Sequence, residues 1–252
     1  MSKTSVKSPL IRKLEILVRL SGEELSWLNR LEATTRRVPA GTELAVQGET
    51  FGPVVVVRRG WAMRFKTLSD GRRQITNYAI PGDIIGLYAN LLEVADHSAV
   101  TLTEAEIAEF PPEAVTDLFR HHPKLAIAFA WSGAREEAVL AEKAASLGRR
   151  TAQERLAHLL LELLRRLQMV QMAQDDRFVF PVTQEQIADT LGLSTVHVNR
   201  TLGRLRADGL IEIDGPVIHV RRMPELSATA DFDDLYLYVR RMPKGVQSRL
   251  SS

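Results

Sequence analysis

Residues 182–220, VTQEQIADTLGLSTVHVNRTLGRLRADGLIEIDGPVIHV, constrain the fold more than any other stretch of the chain. Thr183 stands where an N-cap belongs, and Gln186, three residues on, completes a capping box. Ile187, Ala188 and Leu191 then fall on one helical face, with Ala188 small enough for a second helix to cross close above it. Gly192 supplies the backbone freedom for a sharp turn, Leu193 fills the space between the helices, and Ser194 caps a second helix running to about Ala207. Val198, Leu202 and Leu205 form that helix's inner face. The β-rich runs 210–213 and 217–220, joined by Asp214-Gly215, read as a hairpin beside the pair. The pattern predicts a helix-turn-helix with a wing.

The opposite face of the second helix presents Thr195, Val196, Asn199, Arg200 and Arg204, with His197 toward one flank. Arg200 has the geometry to donate two hydrogen bonds to guanine, Asn199 suits adenine or a phosphate, and Val196 suits a thymine methyl. Thr183, Ser194 and His197 lie where short polar groups and helix N-termini hold phosphates, and Gln184 joins this set at the start of the first helix. Residues 194–207 include three arginines and no acid. That local bias matters because the net charge of the whole chain is only +2, so an electrostatic attraction to nucleic acid has to come from placement. The competing reading is a helical hairpin in an ordinary core with a solvated arginine face.

At 252 residues the chain is long enough for two cores, given roughly 100 to 200 residues per domain. Its 45% hydrophobic and 25% charged residues are those of a folded soluble protein. The first twenty residues interrupt their apolar side chains with Arg12, Lys13, Glu15 and Arg19, unlike a secretory signal, and the densest apolar run, 125–131, falls far short of the ~20 residues a bilayer requires. A cytoplasmic protein without membrane contact is expected. The chain has no cysteine, which excludes a thiolate-bound iron-sulfur cluster, a zinc ribbon and a thiol nucleophile.

Upstream, Ser21 and Glu24 form a second capping box before a short helix with Leu25, Leu28 and Leu31 on one face. From Thr34 to Phe110 the period shortens, and β-branched runs such as 53–57 and 61–65 alternate with turn signals at 39–41, Gly48, Asp70-Gly71 and 81–83. This predicts a β-sandwich or β-roll. A helical pattern follows from Pro123 to about Gly148, with Ile127, Trp131, Ala134, Ala138, Ala141 and Ala145 at heptad spacing. Their small size suits close approach of a partner helix, so a dimerisation helix is expected; the alternative is packing against the chain's own β domain. Residues 148–150 read as a hinge. A second amphipathic helix is predicted over 151–172, with Leu156, Leu159, Leu160, Leu163, Leu164 and Leu167 inward.

On these residues the chain resembles the Crp/Fnr superfamily over roughly Val38 to Val220. PAGTELAVQGE, DGRRQ and PGDIIG are similar to the family's β-roll turns, and residues 182–213 to its DNA-binding signature. The resemblance implies an α+β chain with an N-terminal β-roll sensor, a long dimer helix and a C-terminal winged helix, working as a homodimer on a palindrome. The implied domains are a β-roll over 1–122 with its N-terminal helix, a dimerisation helix and hinge over 123–148, a DNA-binding domain over 149–222 and an extension over 223–252. Members that bind cyclic nucleotides carry a glutamate after the glycine of the GDIIG-like turn and an arginine before a serine or threonine about ten residues later. Here Leu87 follows Gly86, and His97 precedes Ser98. Leucine accepts no ribose hydroxyl and histidine lacks the bidentate fork that grips a phosphate, so these four positions mark an effector site altered away from cyclic AMP. Thr195 and Val196 replace the Arg-Glu pair of the cyclic-AMP-binding members, whereas Arg200 matches a guanine-reading arginine.

The expected partners are therefore double-stranded DNA, a second copy of the chain, RNA polymerase and an unidentified small effector. His97 is weighed as an effector or haem ligand against a purely structural histidine. His121-His122, His158 and His219 lack the spacing of a metal site, and no G-x-S-x-G elbow, P-loop or prominent acid pair occurs, so no metal, cofactor or enzymatic activity is expected. Two rival functions remain open: a sensor whose helix-turn-helix serves protein contacts, and a cupin-like enzyme on the β-roll, which lacks the expected His-x-His. Residues 231–239, DFDDLYLYV, are expected to dock back so as to bury Phe232, Leu235, Tyr236 and Leu237, with an activating surface as the alternative. From Lys244 the chain reads as a frayed tail.

Overall fold

A computed structural model describes residues 7–50, 52–87 and 94–237. The ends of the 231–239 motif and of the extension, including the tail from Lys244, lie outside the described residues.

Two helices precede the β domain. α1 (Pro9–Leu17) is capped by Ser8, whose hydroxyl accepts from the Ile11 amide, and it buries Leu10, Ile11, Leu14 and Leu17. Its charged residues had marked it only as unlike a signal segment. α2 (Gly22–Leu31) carries the predicted Ser21–Glu24 capping box in full. Leu28 is buried, whereas Leu25 and Leu31 are half-buried against the same cluster.

Among the described residues eight strands follow: β1 (Thr35–Val38), β2 (Glu43–Ala45), β3 (Val54–Arg59), β4 (Ala62–Thr67), β5 (Arg73–Ala79), β6 (Ile84–Ile85), β7 (Ser98–Thr101) and β8 (Ala105–Phe110). They form two four-stranded sheets, β1-β8-β3-β6 and β2-β7-β4-β5, with every pairing antiparallel. Val38, Val55, Val57, Ala62, Ala79, Ile85 and Ile107 fill the space between them. This is the expected roll. At the turn 81–83, Gly82 has φ +91°, and a Cβ there would lie 2.8 Å from the Pro9 carbonyl oxygen. Only glycine lets the turn approach the start of α1 this closely.

α3 (Glu113–His121) leads into α4 (Pro123–Arg149), which ends at Arg150. Leu125, Ala126, Ala128 and Phe129 anchor the first half of α4 in the cluster formed with α1, α2, β3 and β8. α5 (Ala152–Met169) starts at the Thr151 cap and buries all six predicted leucines. It stops short of the predicted Met172 because the backbone turns left-handed at Gln171 (φ +61°). Then come β9 (Arg177–Val179), α6 (Gln184–Leu191), α7 (Thr195–Ala207), β10 (Ile211–Asp214), β11 (Val217–Val220) and α8 (Met223–Ala230). β9 adds a third strand to the predicted hairpin, in the order β10-β11-β9.

The β-roll and the C-terminal helices share one apolar cluster. Trp61, Met63, Ile75, Tyr78 and Ile80 from the outer face of the roll pack with the α5 leucines and with Ile187, Ala188, Leu191, Val198 and Leu205. The extension also joins this cluster: Phe232 packs against it and Leu237 is fully buried. The sequence reading is corrected at Leu235, which is 58% exposed. A 3-10 turn over Leu235–Leu237 directs that side chain outward while Tyr236 and Leu237 face the body.

Candidate nucleic-acid interface

The helix-turn-helix is built as its residue types require. The Thr183 hydroxyl accepts from the Gln186 amide at 3.2 Å, and the Gln186 side chain accepts from the Thr183 amide at 2.9 Å. Gly192 ends α6 with φ +63°. A Cβ there would meet nothing closer than 3.7 Å, so glycine is required for the left-handed backbone and not for space. Arg155 closes the same helix end by donating to the Leu191 carbonyl at 2.9 Å. Ser194 then caps α7, accepting from the His197 amide at 3.2 Å.

Val198 and Leu205 are fully buried on the inner side of α7. Leu202 is only half-buried, and Thr201, which the sequence pattern did not assign inward, takes a buried place by donating its hydroxyl to the His197 carbonyl. The other side is open. Thr195, Asn199, Arg200 and Arg204 are exposed, Val196 is 75% exposed and His197 is half-buried. Among the described residues, neither the Arg200 nor the Arg204 guanidinium has a hydrogen-bond or ion-pair partner. Asn199 donates from Nδ2 to Gln184 Oε1 at 3.3 Å, so two of the candidate DNA-contacting side chains are brought together across the helix pair.

Charges on α7 follow a simple electrostatic order: the N-terminal turn has capped but otherwise free amides and the last turn carries Arg204 and Arg206. Both ends of the outer face thus favour an anion, one through the helix dipole and one through fixed charge. In the wing, Arg221 lies 3.4 Å from Glu212, which tempers the positive charge there.

The four candidate effector residues are placed differently. Gly86 has φ +76°. Leu87 is buried in the cluster that α1 and α4 share with the roll. His97 Nδ1 lies 2.6 Å from Asp96, and the Ser98 hydroxyl accepts from the Gln47 amide at 3.0 Å. Residues 88–93, between the two pairs, lie outside the described residues. Arg64 of β4 reaches α4, with Nη1 2.7 Å from Glu136 and Nη2 donating to the Ile84 carbonyl. Sequence reasoning had not singled out this bridge.

The candidate dimer stripe divides along α4. Ile127, Trp131 and Ala138 are half-buried, whereas Ala134, Ala141 and Ala145 are exposed, as is Leu140 at 45%. Ile127 and Trp131 pack against the chain's own cluster beside Phe129, so only the alanine part of the stripe, at Ala134, Ala141 and Ala145, stands open.

Two further groups of polar residues fix where the interface sits. Lys13 of α1 lies 2.8 Å from Asp83, and Arg166 of α5 lies 2.7 Å from Asp83 and 3.2 Å from Glu162. Arg166 also donates to the Tyr78 carbonyl and to Asn77. Burial alone would raise the Asp83 pKa, but Lys13, Arg166 and Arg135 hold it well below the usual carboxylate range. The second group joins β5 to α6: Arg73 pairs with Asp189 at 2.7 Å, Gln74 donates to the Asp189 carbonyl, and Tyr78 Oη lies 2.6 Å from Thr190 Oγ1. Glu162 and Arg166 stand four apart on the leucine face of α5, a spacing that would have revealed a buried pair.

Among the described residues no group of histidines and acids could hold a metal, and no helix is long and apolar enough to cross a membrane.

Comparison with known proteins agrees with this architecture. A cyclic nucleotide-binding domain model matches residues 35–122, and a Crp-like helix-turn-helix domain model matches residues 154–229. The chain is 32% identical over 195 residues to a probable transcriptional activator of Rhizobium leguminosarum, covering 77% of this chain and 80% of that protein. It is 28% identical to the transcriptional activator protein anr of Pseudomonas aeruginosa, with 88% and 89% of the two chains covered. The solved structure of FixK2 from Bradyrhizobium japonicum superposes with a TM-score of 0.71 at 27% identity, over 78% of this chain and 96% of that one. With both domains, their order and the capped helix pair in place, the chain belongs to the Crp/Fnr family of DNA-binding transcriptional regulators.

Proposed function

We propose that the chain is a cytoplasmic transcriptional activator that reads a palindromic DNA site as a homodimer and acts on RNA polymerase. The observation that carries this reading is the open face of α7, where the guanidinium groups of Arg200 and Arg204 stand exposed and without a partner among the described residues, beside Thr195, Val196 and Asn199. In this reading Arg200 reads guanine, Val196 and Thr195 contact neighbouring base edges, and Thr183, Gln184, Ser194 and His197 hold the backbone, with Asn199 steadied by Gln184. Relatives named as transcriptional activators support the direction of regulation.

Dimerisation is assigned to the α4 stripe of Ile127, Trp131, Ala134, Ala138, Ala141 and Ala145. Its alanines allow backbones to approach, and the exposed Ala134, Ala141 and Ala145, with Leu140 beside them, leave apolar surface to be covered. Two copies would place their recognition helices about 34 Å apart, in successive major grooves. Control falls to the β-roll, through a small effector other than a cyclic nucleotide or through the amount of protein, since Leu87 and His97 stand where a ribose acceptor and a phosphate-binding arginine are needed. No catalytic role is assigned.

Selection of binding sites from random duplexes tests the reading. The expected product is an inverted repeat with a guanine at one symmetric position and affinity that falls steeply with salt. Recovery of no repeat, or of an unpaired half-site, overturns it. Calorimetry with cyclic AMP and cyclic GMP tests the effector assignment, and micromolar binding of either refutes it.

A further inference from the structure

The hinge at Arg150 leaves little chain between α4 and α5, and Gly148 and Arg149 beside it are exposed. A small change of angle there is magnified at α7, so something other than the bend itself has to fix the recognition helix relative to the dimer stripe. The segment after α8 is placed to do this. It leaves the helix through Asp231, whose backbone is left-handed (φ +47°), and turns back across both helices.

We propose that residues 231–237 form a strap that sets the angle between α4 and the DNA-binding unit, with Phe232 and Tyr236 as its positioning residues. On the α5 side, both rings cluster on the buried His158: Phe232 meets it edge-on at 5.1 Å, Tyr236 stacks on it at 5.8 Å with the planes 19° apart, and Phe232 and Tyr236 meet edge-on at 6.3 Å. Tyr236 donates its hydroxyl to Glu162 Oε2 at 3.1 Å, and the other oxygen of Glu162 holds Arg166 of the buried ion network. On the α4 side, the 3-10 turn packs against the helix with Leu237 fully buried. The two sides meet at the bend, where Glu142 of α4 pairs with Arg150 at 2.7 Å and lies 3.2 Å from His158, while Arg150 donates to the Asp231 carbonyl at 3.5 Å. The turn is itself braced, with the Leu235 amide donating to Asp233 at 2.7 Å and the Leu237 amide to the Asp234 carbonyl at 3.0 Å. One short segment therefore holds α4, the bend and α5 together, and the aromatic residues expected to dock back supply the contacts.

The proposal rests on the reading of α7 as the DNA-recognition helix, so its test has one arm that needs DNA and one that does not. In the full-length protein, Tyr236→Ala removes the stack and the hydrogen bond, whereas Tyr236→Phe removes only the bond. Trypsin cleavage after Arg149 and Arg150, followed by fragment mass, should become faster by about tenfold in the alanine variant and by less in the phenylalanine variant, because local opening limits cleavage. On duplexes carrying the selected half-sites at altered separations, the alanine variant should tolerate separations that the wild type rejects while keeping the same half-site sequence. Unchanged cleavage at the hinge overturns the strap whatever the DNA arm gives. Faster cleavage with an unchanged separation preference overturns the positioning role. A wild type that selects no inverted repeat refutes the DNA reading instead, and the cleavage arm then still decides whether the strap holds the hinge. Should the alanine variant fail to fold, Tyr236→Phe decides alone: faster cleavage supports the strap, and wild-type cleavage refutes it.

Discussion

Tyr78 Oη lies 2.6 Å from Thr190 Oγ1, joining the last sensor strand before the PGD turn to the first helix of the helix-turn-helix. The Thr190 hydroxyl in turn lies 2.7 Å from the Gln186 carbonyl, so the contact extends into the backbone of α6. Arg73–Asp189 flanks it on the exposed side. Tyr78→Phe should cost about 1 kcal/mol, the usual worth of a neutral hydrogen bond. Urea unfolding of the variant measures it, and a loss near zero would mean that the contact contributes nothing to docking.

Asp83→Asn leaves Lys13, Arg166 and Arg135 buried without their shared carboxylate. A cost of about 3–5 kcal/mol is expected, the range for breaking a buried ion pair from one side. Chemical denaturation gives the number directly, and a cost below that of an ordinary surface substitution refutes the central place of Asp83.

Acid should weaken the protein in two stages. Burial lowers the His158 pKa below 6.5, against the pull of Glu162 and Glu142. The unfolded chain takes up that proton first, so stability falls as pH drops below 6.5 and levels off below the folded value. Asp83 acts at lower pH: its folded pKa lies below 3.8, so its contribution is present above 3.8 and is lost as pH falls further. Unfolding curves over a pH series should show both declines, and His158→Gln should remove the upper one alone.

Arg200→Ala and Ser194→Ala separate reading from positioning. The first should relax preference at one symmetric base pair by about 1 to 3 kcal/mol while leaving the rest of the site intact. The second removes the α7 cap, so it should weaken binding to all sequences alike and lower stability by about 1 kcal/mol. Competition binding with single-base variants of the selected site distinguishes them, and equal losses across all bases for Arg200→Ala would refute its reading role.

Ala141→Glu places a charge on the exposed part of the α4 stripe without disturbing the folded single chain. Sedimentation should then report a monomer with a wild-type melting temperature. A dimer of unchanged affinity would move the seam elsewhere.

The helix pair was legible because each position answers to a local rule: caps at Thr183 and Ser194, a left-handed glycine at 192, and apolar periodicity between them. In the roll, β3 and β4 and the turns at 39–41, Gly48, Asp70-Gly71 and 81–83 were legible for the same reason, whereas short strands such as β2 and β6 carry too few residues to show a period. Charged residues were harder to place. Lys13 and Arg166 look like solvent-facing charges along the chain, and only the arrival of Asp83 from a distant turn makes their burial tolerable. Thr201 joins the inner face beside the half-buried Leu202 because its hydroxyl is satisfied by its own helix. Leu235 was assigned inward from its hydrophobicity, but the 3-10 turn had only enough inward positions for its neighbours.

The apolar cluster that joins the outer face of the roll to α5, α6 and α7 also decides what becomes of the parts. Cut at Arg150, the chain would not yield two well-behaved modules. One fragment would bare Trp61, Met63 and Tyr78, and the other a stripe of leucines, so each would tend to aggregate or to seek the other. Sensor and reading head are thus obliged partners, and exchanging either with a relative requires carrying its half of the shared surface along.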